Sequence, residues 1–391
     1  MLIKSNLSII LMTRNKSKKK KSFMKLFVLF TIIISLSLLN ITTLQAEDHS
    51  DDNFTGELQV HYIDVGQGDS ILIKAIDNDF RRKMLIDAGQ KWKGRDEVVP
   101  YLEDLDIEII HKAIATHPHA DHIGGFIEVF ANFSVKKVID SGYEHDTLTY
   151  DNYITAIKEN DIERIQGKAG MTKKLAEGLE FEIIHPTSTV TDDIHYENIV
   201  GQIEYKNMGF LFTGDLEVKG ERSILARGHN IENQVLKVGH HGSSTSSSKE
   251  FLQAVNPEIS VIQVGKDNRY GHPHQEIIEK LTEKNIDIYR TDYQGNIIVT
   301  TNGENYEISE SPYDPERLSE KETEEGETRI NINTADFEKL QELTGVGPAI
   351  AENIIEYREN QGAFEEVSEI KKVSGIGEAR FADMEDSIKV Q

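Results

Sequence analysis

Thr116-His117-Pro118-His119-Ala120-Asp121-His122 follows directly on an apolar run, His111 to Thr116, that has the character of a strand. Four side chains with metal-binding atoms fall within six residues. Imidazole and carboxylate together suit Zn²⁺, and also Mn²⁺ or Fe²⁺. Two histidines one residue apart on an extended loop can point at one ion, and the Asp-His pair that follows can serve a second beside it.

Working outward, short apolar runs alternate with helical patterns from about residue 58 to residue 308. Strands are expected at 58–65, 70–75, 84–87, 111–116, 135–139, 180–184, 199–205, 210–213, 234–238, 259–264, 286–290 and 296–301. Helices are expected near 95–104, 122–131, 149–159, 216–228, 247–254 and 273–283. Several strands end on polar residues, as α/β enzymes build the rim of a site. Asp87 follows Met84-Leu85-Ile86, Asp215 follows Phe210-Leu211-Phe212-Thr213-Gly214, and His240-His241 follow Val235-Leu236-Lys237-Val238-Gly239.

The chain has 391 residues, no cysteine and a formal net charge of −24. Disulfides, thiolate metal sites, a catalytic thiol and cysteine-borne lipids are therefore excluded. The first 46 residues hold eight Lys/Arg and no acid, so the rest carries 35 basic against 67 acidic residues, a net of −32. A surface this acidic repels nucleic acid at long range. The N-terminus has the pattern of an export signal: Lys18 to Lys21 and Lys25, an apolar core from Leu26 to Leu39, and a cleavage site at Leu44-Gln45-Ala46. An uncleaved membrane anchor is the alternative. No later segment is apolar enough to cross a membrane.

Four parts are expected: a signal peptide at 1–46, an α/β domain at 56–306, an acidic linker at 307–328 and a helical domain at 329–391. The linker holds Pro312, Pro315 and Gly326 among acidic residues and cannot bury a core. The last domain carries two similar glycine turns, Leu343-Thr344-Gly345-Val346-Gly347 and Val373-Ser374-Gly375-Ile376-Gly377. Glycines let such turns take positive φ and leave backbone N–H groups uncovered at the start of the next helix, which makes an anion site for a DNA backbone. Gly345, Val346, Gly347, Gly375, Ile376 and Gly377, with Lys371 and Lys372, are the candidate DNA contacts. The domain's seven basic against thirteen acidic residues predict weak, salt-sensitive binding. Trp92, the sole tryptophan, sits in the basic patch Lys91-Trp92-Lys93-Gly94-Arg95, which suits backbone contact and base stacking.

The order of motifs resembles the metallo-β-lactamase fold family over about residues 58–305. In detail it is similar to the hydrolase domain of the ComEC DNA-uptake proteins. The matching residues are Ile63-Asp64-Val65-Gly66-Gln67-Gly68-Asp69, Lys237 to Ser243, Tyr270-Gly271-His272-Pro273-His274 and Tyr289 to Gly295. Residues 329–391 resemble the helix-hairpin-helix domain of ComEA-type DNA receptors, through Ile330 to Ala335, both glycine turns and Tyr357 to Phe364. The resemblance implies an α/β fold of four layers, αββα, followed by a small all-α domain. It implies two divalent ions, Zn²⁺ or Mn²⁺. His117 and His119 would hold the first, Asp121 and His122 the second, with Asp215 bridging and His240 closing the second site.

Asp87 would orient the metal loop, and His241 is an orienting donor or an alternative ligand to His240. A metal-bound hydroxide would attack, with Asp121 handling protons and His272 contacting phosphate or protonating the leaving group. Asn198 stands where many family members have a further histidine, which leaves the first ion a ligand short. His195 and His185 stand nearby, and His185, before Pro186, has the character of a structural residue.

The implied activity is an exported DNA phosphodiesterase linked to competence. Its partners would be DNA, held by the backbone rather than by sequence, and other DNA-uptake proteins. The alternatives are a hydrolase of a small ester (a phosphocholine ester, cyclic nucleotide or lactone) and a non-catalytic surface DNA receptor.

Overall fold

A computed structural model describes residues 54–77, 80–187, 191–268, 270–313, 329–335, 337–364 and 366–390. The expected export signal lies outside them. Among the described residues, no helix is long and apolar enough to cross a membrane.

Nineteen strands are described. The first sheet contains β1 (Glu57–Tyr62), β2 (Ile71–Asp77), β3 (Phe80–Ile86), β5 (Lys112–Ala115), β7 (Lys137–Asp140), β8 (Glu163–Gln166), β16 (Ile297–Thr301) and β17 (Tyr306–Ile308), in the order β17-β16-β1-β2-β3-β5-β7-β8. A two-strand pair, β4 (Ile109–Ile110) with β6 (Ser134–Val135), flanks it. The second sheet contains β9 (Met171–Ala176), β10 (Leu179–His185), β11 (Val200–Tyr205), β12 (Met208–Phe212), β13 (Val235–Lys237), β14 (Ile259–Ile262) and β15 (Asp287–Arg290), in the order β15-β14-β13-β12-β11-β10-β9. Each sheet is antiparallel on one side and parallel on the other: β3-β5-β7-β8 in the first, β12-β13-β14-β15 in the second.

Period-two alternation explains the layers. On β1 and β2, Leu58, Val60, Tyr62, Ile71 and Ile73 face Phe181, Ile203, Phe210, Phe212 and Val261 of the other sheet. The opposite parity, Leu72, Leu85, Ala113 and Val138, packs on helices α1 (Val99–Asp104), α2 (Phe126–Asn132) and α3 (Leu148–Glu159). On the far side Leu211, Leu236 and Ile262 meet α4 (Val218–Ala226), α5 (Lys249–Val255) and α6 (Gln275–Glu283). The four layers αββα are those expected.

β8 and β9 were not among the expected strands. Their sequences, Glu-Arg-Ile-Gln and Met-Thr-Lys-Lys-Leu-Ala, are charged because each lies at a sheet edge, where lysine and glutamate keep other strands from adding. Residues 307–313, expected within the linker, are tied to the two sheets. β17 pairs with β16, and the Tyr313 N–H donates to Ile288 O at 2.6 Å.

The C-terminal unit has its own core, including Ile332, Leu340, Leu343, Val346, Ile354, Val373, Ile376 and Phe381. It is not wholly helical, since β18 (Ile330–Asn331) and β19 (Ile388–Lys389) pair in parallel. Its glycine turns lead into α7 (Pro348–Gln361) and α8 (Glu378–Met384).

His61 is buried on β1, its Nδ1 2.7 Å from the Tyr101 hydroxyl. Burial, with Lys74 nearby, holds its pKa down to about 3. The unfolded chain therefore takes up the proton first, and the His61 contribution to stability is lost as pH falls from about 6.5 towards 3. His61→Gln should flatten the fall of urea-unfolding free energy between pH 6.5 and 4 by up to about 1.4 kcal/mol per pH unit. Equal slopes in both proteins would contradict this burial effect.

Candidate metal centre

The site forms at the carboxyl ends of parallel strands, where open α/β sheets place ligands. β3 delivers Asp87, β5 delivers Thr116 and His117, β12 delivers Asp215, β13 delivers His240 and His241, and β14 delivers Gln263. The loop Gly66-Gln67-Gly68-Asp69 closes against the histidine loop, where the Asp69 N–H donates to Asp121 O at 3.2 Å. Gly68 has φ +139°, and a Cβ there would lie 2.4 Å from the Asp121 carbonyl oxygen. Only glycine permits that approach.

Asp215 is the centre. Its Oδ2 lies 3.2 Å from His122 Nε2, 3.7 Å from His117 Nε2 and 3.8 Å from His240 Nε2, and its Oδ1 lies 3.5 Å from His241 Nε2. Asn198 fixes it: the side-chain Oδ1 accepts from the Asp215 N–H at 3.0 Å, and Nδ2 donates to Thr213 O at 2.7 Å. Asn198 thus braces the strand end.

Metal-binding atoms gather, within 4.8 Å of one another, in overlapping groups. His117, His119, His195 and Asp215 form one, and Asp121, His122 and His241 another; Asp69, His122 and Asp215 also meet, as do His195, Glu217 and His240. His195 thus stands where the sequence left the first group one donor short. His185 stands apart, its Nε2 2.6 Å from Tyr196 O. Of the two readings of the histidine pair, the grouping follows the alternative: His241, whose Nε2 is 3.6 Å from Asp121 Oδ2, gathers with Asp121 and His122, while His240 gathers with His195 and Glu217. Both histidines have left-handed backbone, φ +50° and +53°. That turn buries the His241 ring, while His240 faces the mouth with its Nδ1 3.4 Å from Glu217.

Orienting partners complete the arrangement. The Asp87 carboxylate accepts from the Thr116 N–H and Oγ1 at 2.8 and 2.7 Å and lies 2.8 Å from His122 Nδ1. His241 Nδ1 lies 2.9 Å from Gln263 O and 3.3 Å from Asp69, which is paired at 2.8 Å with the fully buried Lys237. Sequence reasoning gave no role to Asp69, Lys237, Gln263 or Glu217. A lysine inside the apolar run Val235-Leu236-Lys237-Val238 was the one available signal, since it demands a buried acid.

Burial holds the pKa of His117 well below the ordinary histidine value, that of His119 at about 4, and that of His240 lower than usual. Neutral imidazoles are what a metal requires. Burial opposes charge on His122 and His241 too, but Asp215, with Asp87 and Asp121 for His122 and Asp69 for His241, raises both well above the ordinary value. Asp121 falls to about 2 and Asp215 well below the carboxylate range, burial being outweighed by these two histidines. Asp215 Oδ1, His122 Nε2 and His241 Nε2 are buried with no hydrogen-bond partner among the described residues. Converging orphaned donors and acceptors around surplus carboxylate fit divalent cations.

His272 lies at the mouth, its ring 5.7 Å from that of His240, with its pKa lowered to about 4 by burial and by His241 and His240.

In the C-terminal unit, Gly345 and Gly375 take φ +84° and +94°, as the turns require. The Val346 and Ile376 N–H groups donate to Leu343 O and Val373 O, and both side chains are buried. These two residues build the turns, and their side chains pack into the core of the unit. Lys371 pairs with Glu378 at 3.1 Å and Lys372 with Glu369, so the two expected phosphate cations already have acidic partners.

Adding Zn²⁺ or Mn²⁺ to chelator-treated protein should raise Tm, by about 2.7 kcal/mol of stability at a hundredfold excess over Kd. Asp215→Ala should abolish most of that gain. Equal melting with and without metal in the unaltered protein would contradict the fit.

The pattern that defines the metallo-beta-lactamase superfamily matches residues 63–266, and that of the helix-hairpin-helix motif matches residues 325–389. ComE operon protein 3 of Bacillus subtilis is 32% identical over 259 residues, 62% of this chain and 33% of that protein. Competence protein ComA of Neisseria gonorrhoeae is 31% identical over 242 residues, 61% of this chain and 32% of that protein. ComE operon protein 1 of Bacillus subtilis is 53% identical over 62 residues, 16% of this chain and 30% of that protein. The chain thus spans about a third of the length of each of these relatives. With more than half of its residues inside the first pattern, the chain belongs to the metallo-beta-lactamase superfamily and carries a helix-hairpin-helix motif at its C-terminal end.

Proposed function

We infer that the chain is an exported metal-dependent phosphodiesterase that cleaves DNA and holds its substrate through the helix-hairpin-helix motif. The observation that carries this is Asp215, one buried carboxylate that reaches both donor groups, Oδ2 lying 3.7 Å from His117 Nε2 and 3.2 Å from His122 Nε2 and Oδ1 lying 3.5 Å from His241 Nε2. Such a set suits two ions. Two divalent ions would activate water and clamp the attacking and leaving oxygens of an in-line displacement at phosphorus. His117, His119, His195 and Asp215 would hold one, and Asp121, His122, His241 and Asp215 the other. Zn²⁺ and Mn²⁺ both suit this chemistry.

Asp121, with 23% of its side chain exposed against 3% for Asp215, would pass a proton. His272, with its pKa at about 4, is neutral at pH 7 and offers a hydrogen bond to a phosphate oxygen rather than a ready proton. The two hairpin turns would grip the DNA backbone through main-chain groups without reading bases. Their ion-paired lysines and acidic surroundings make that grip weak, yet a weak tether raises the local substrate concentration. The names of the relatives support a role in DNA uptake, and the basic-then-apolar N-terminus supports export to the cell surface.

Purified protein should cleave linear or circular DNA with Mn²⁺ or Zn²⁺ and not with EDTA. His119→Ala/Asp215→Ala should lose more than about 100-fold, beyond the cost of losing an orienting partner. Bound metal with no cleavage of any DNA would overturn this reading and point to a small ester.

A further inference from the structure

The loop that follows β12 carries two carboxylates, and the metal centre as described uses one of them. In Thr213-Gly214-Asp215-Leu216-Glu217 the chain turns back on itself, the Leu216 N–H donating to Thr213 O at 3.1 Å and the Leu216 side chain buried. Asp215 lies buried in the site. Glu217, the residue before α4, stands at the mouth with 31% of its side chain exposed. Its Oε1 lies 3.3 Å from His195 Nδ1 and 3.4 Å from His240 Nδ1, and the two rings have their centroids 4.6 Å apart. His240 Nδ1 has a further partner in Thr245 Oγ1 at 3.1 Å. His195 Nδ1 has none besides Glu217 among the described residues.

His195 belongs to a segment, residues 191–199, that holds neither helix nor strand, so its ring needs other supports. Those supports come from α4. Lys219 Nζ donates to Asp193 Oδ2 at 2.8 Å, and the Tyr196 hydroxyl donates to Ser223 Oγ at 3.0 Å. The Lys219 ammonium also lies 4.9 Å from the centre of the Tyr196 ring, and His185 Nε2 reaches Tyr196 O at 2.6 Å. These contacts flank His195 in sequence. They set its ring between Glu217 and the first donor group, with centroids 5.0 Å from His119 and 5.8 Å from His117. Nδ1 faces Glu217, and Nε2 is buried with no hydrogen-bond partner among the described residues.

A neutral imidazole has one N–H and one lone pair, and the bond made by one nitrogen decides which atom is left for a metal. A carboxylate that accepts from Nδ1 leaves Nε2 as the ligand atom and makes it more basic. We propose that Glu217 is the positioning residue of His195: it holds the ring with Nδ1 protonated and Nε2 turned to His117, His119 and Asp215, and so completes the donors of the first ion. The competing use of the cluster is a third ion among His195, Glu217 and His240. That use needs the His195 Nδ1 lone pair to face outward. The hydrogen would then sit on the buried Nε2, where no partner accepts it. The proposal rests on the reading of a metal centre at Asp215 and deepens it by a residue that itself touches no ion.

The test is metal binding by the whole chain, without DNA. Chelator-treated protein is titrated with Zn²⁺ against a colorimetric chelator, which reads affinity, and with Co²⁺, whose visible absorption reads the ligand set. Glu217→Ala, with its melting in EDTA unchanged, should weaken one of the two ions about 10- to 100-fold and alter the Co²⁺ band. Glu217→Gln keeps an acceptor without the charge and should recover part of that loss. In a His195→Ala background the further change to Glu217→Ala should shift affinity by no more than about twofold, because the histidine it acts through is gone. In a His240→Ala background the loss should persist. A loss of full size in the His195→Ala background would overturn the proposal, as would a third ion in the unaltered protein that Glu217→Ala alone removes. Two ions bound with equal affinity in Glu217→Ala and the unaltered protein would overturn this proposal alone. No Zn²⁺ or Co²⁺ bound by the unaltered protein would overturn the metal centre, and this proposal with it.

Discussion

The Asp215 carboxylate is buried among four imidazoles, and the surrounding structure follows from what that placement demands. A carboxylate out of water needs positive partners and a fixed backbone. Asn198 supplies the backbone anchor, and His122 and His241 supply the charge. Those two histidines need orienting acids in turn, which are Asp87 and Asp69, and Asp69 needs Lys237. The pairings link both sheets through a polar network at one edge of an otherwise apolar core.

Much of this was legible in the sequence because strand alternation and ligand spacing are local. The histidine loop and the acids ending β3 and β12 stood out, as did the apolar runs of β1 and β2. His240 and His241 could not be separated that way. Adjacent residues diverge according to backbone φ, and the left-handed pair at this turn is set by contacts with Gln263 and Gly214 from distant strands. His195 was visible only as a nearby histidine, since its approach to His117 depends on how the 191–199 segment folds over the site. β8 and β9 escaped notice for the opposite reason: edge strands carry charge where alternation would put apolar residues.

The C-terminal unit shows a similar division. Its repeated glycine turns predicted left-handed positions at Gly345 and Gly375, and both have them. The sequence could not show that the Val346 and Ile376 amides close the turns or that Glu378 and Glu369 pair with the nearby lysines.

The most direct measurement is anomalous diffraction from crystals of the whole chain soaked in Mn²⁺. The account predicts two peaks flanking Asp215, one beside His117, His119 and His195, the other beside Asp121, His122 and His241. No peak beside Asp215, or a second peak held by His240 in place of His241, would contradict it.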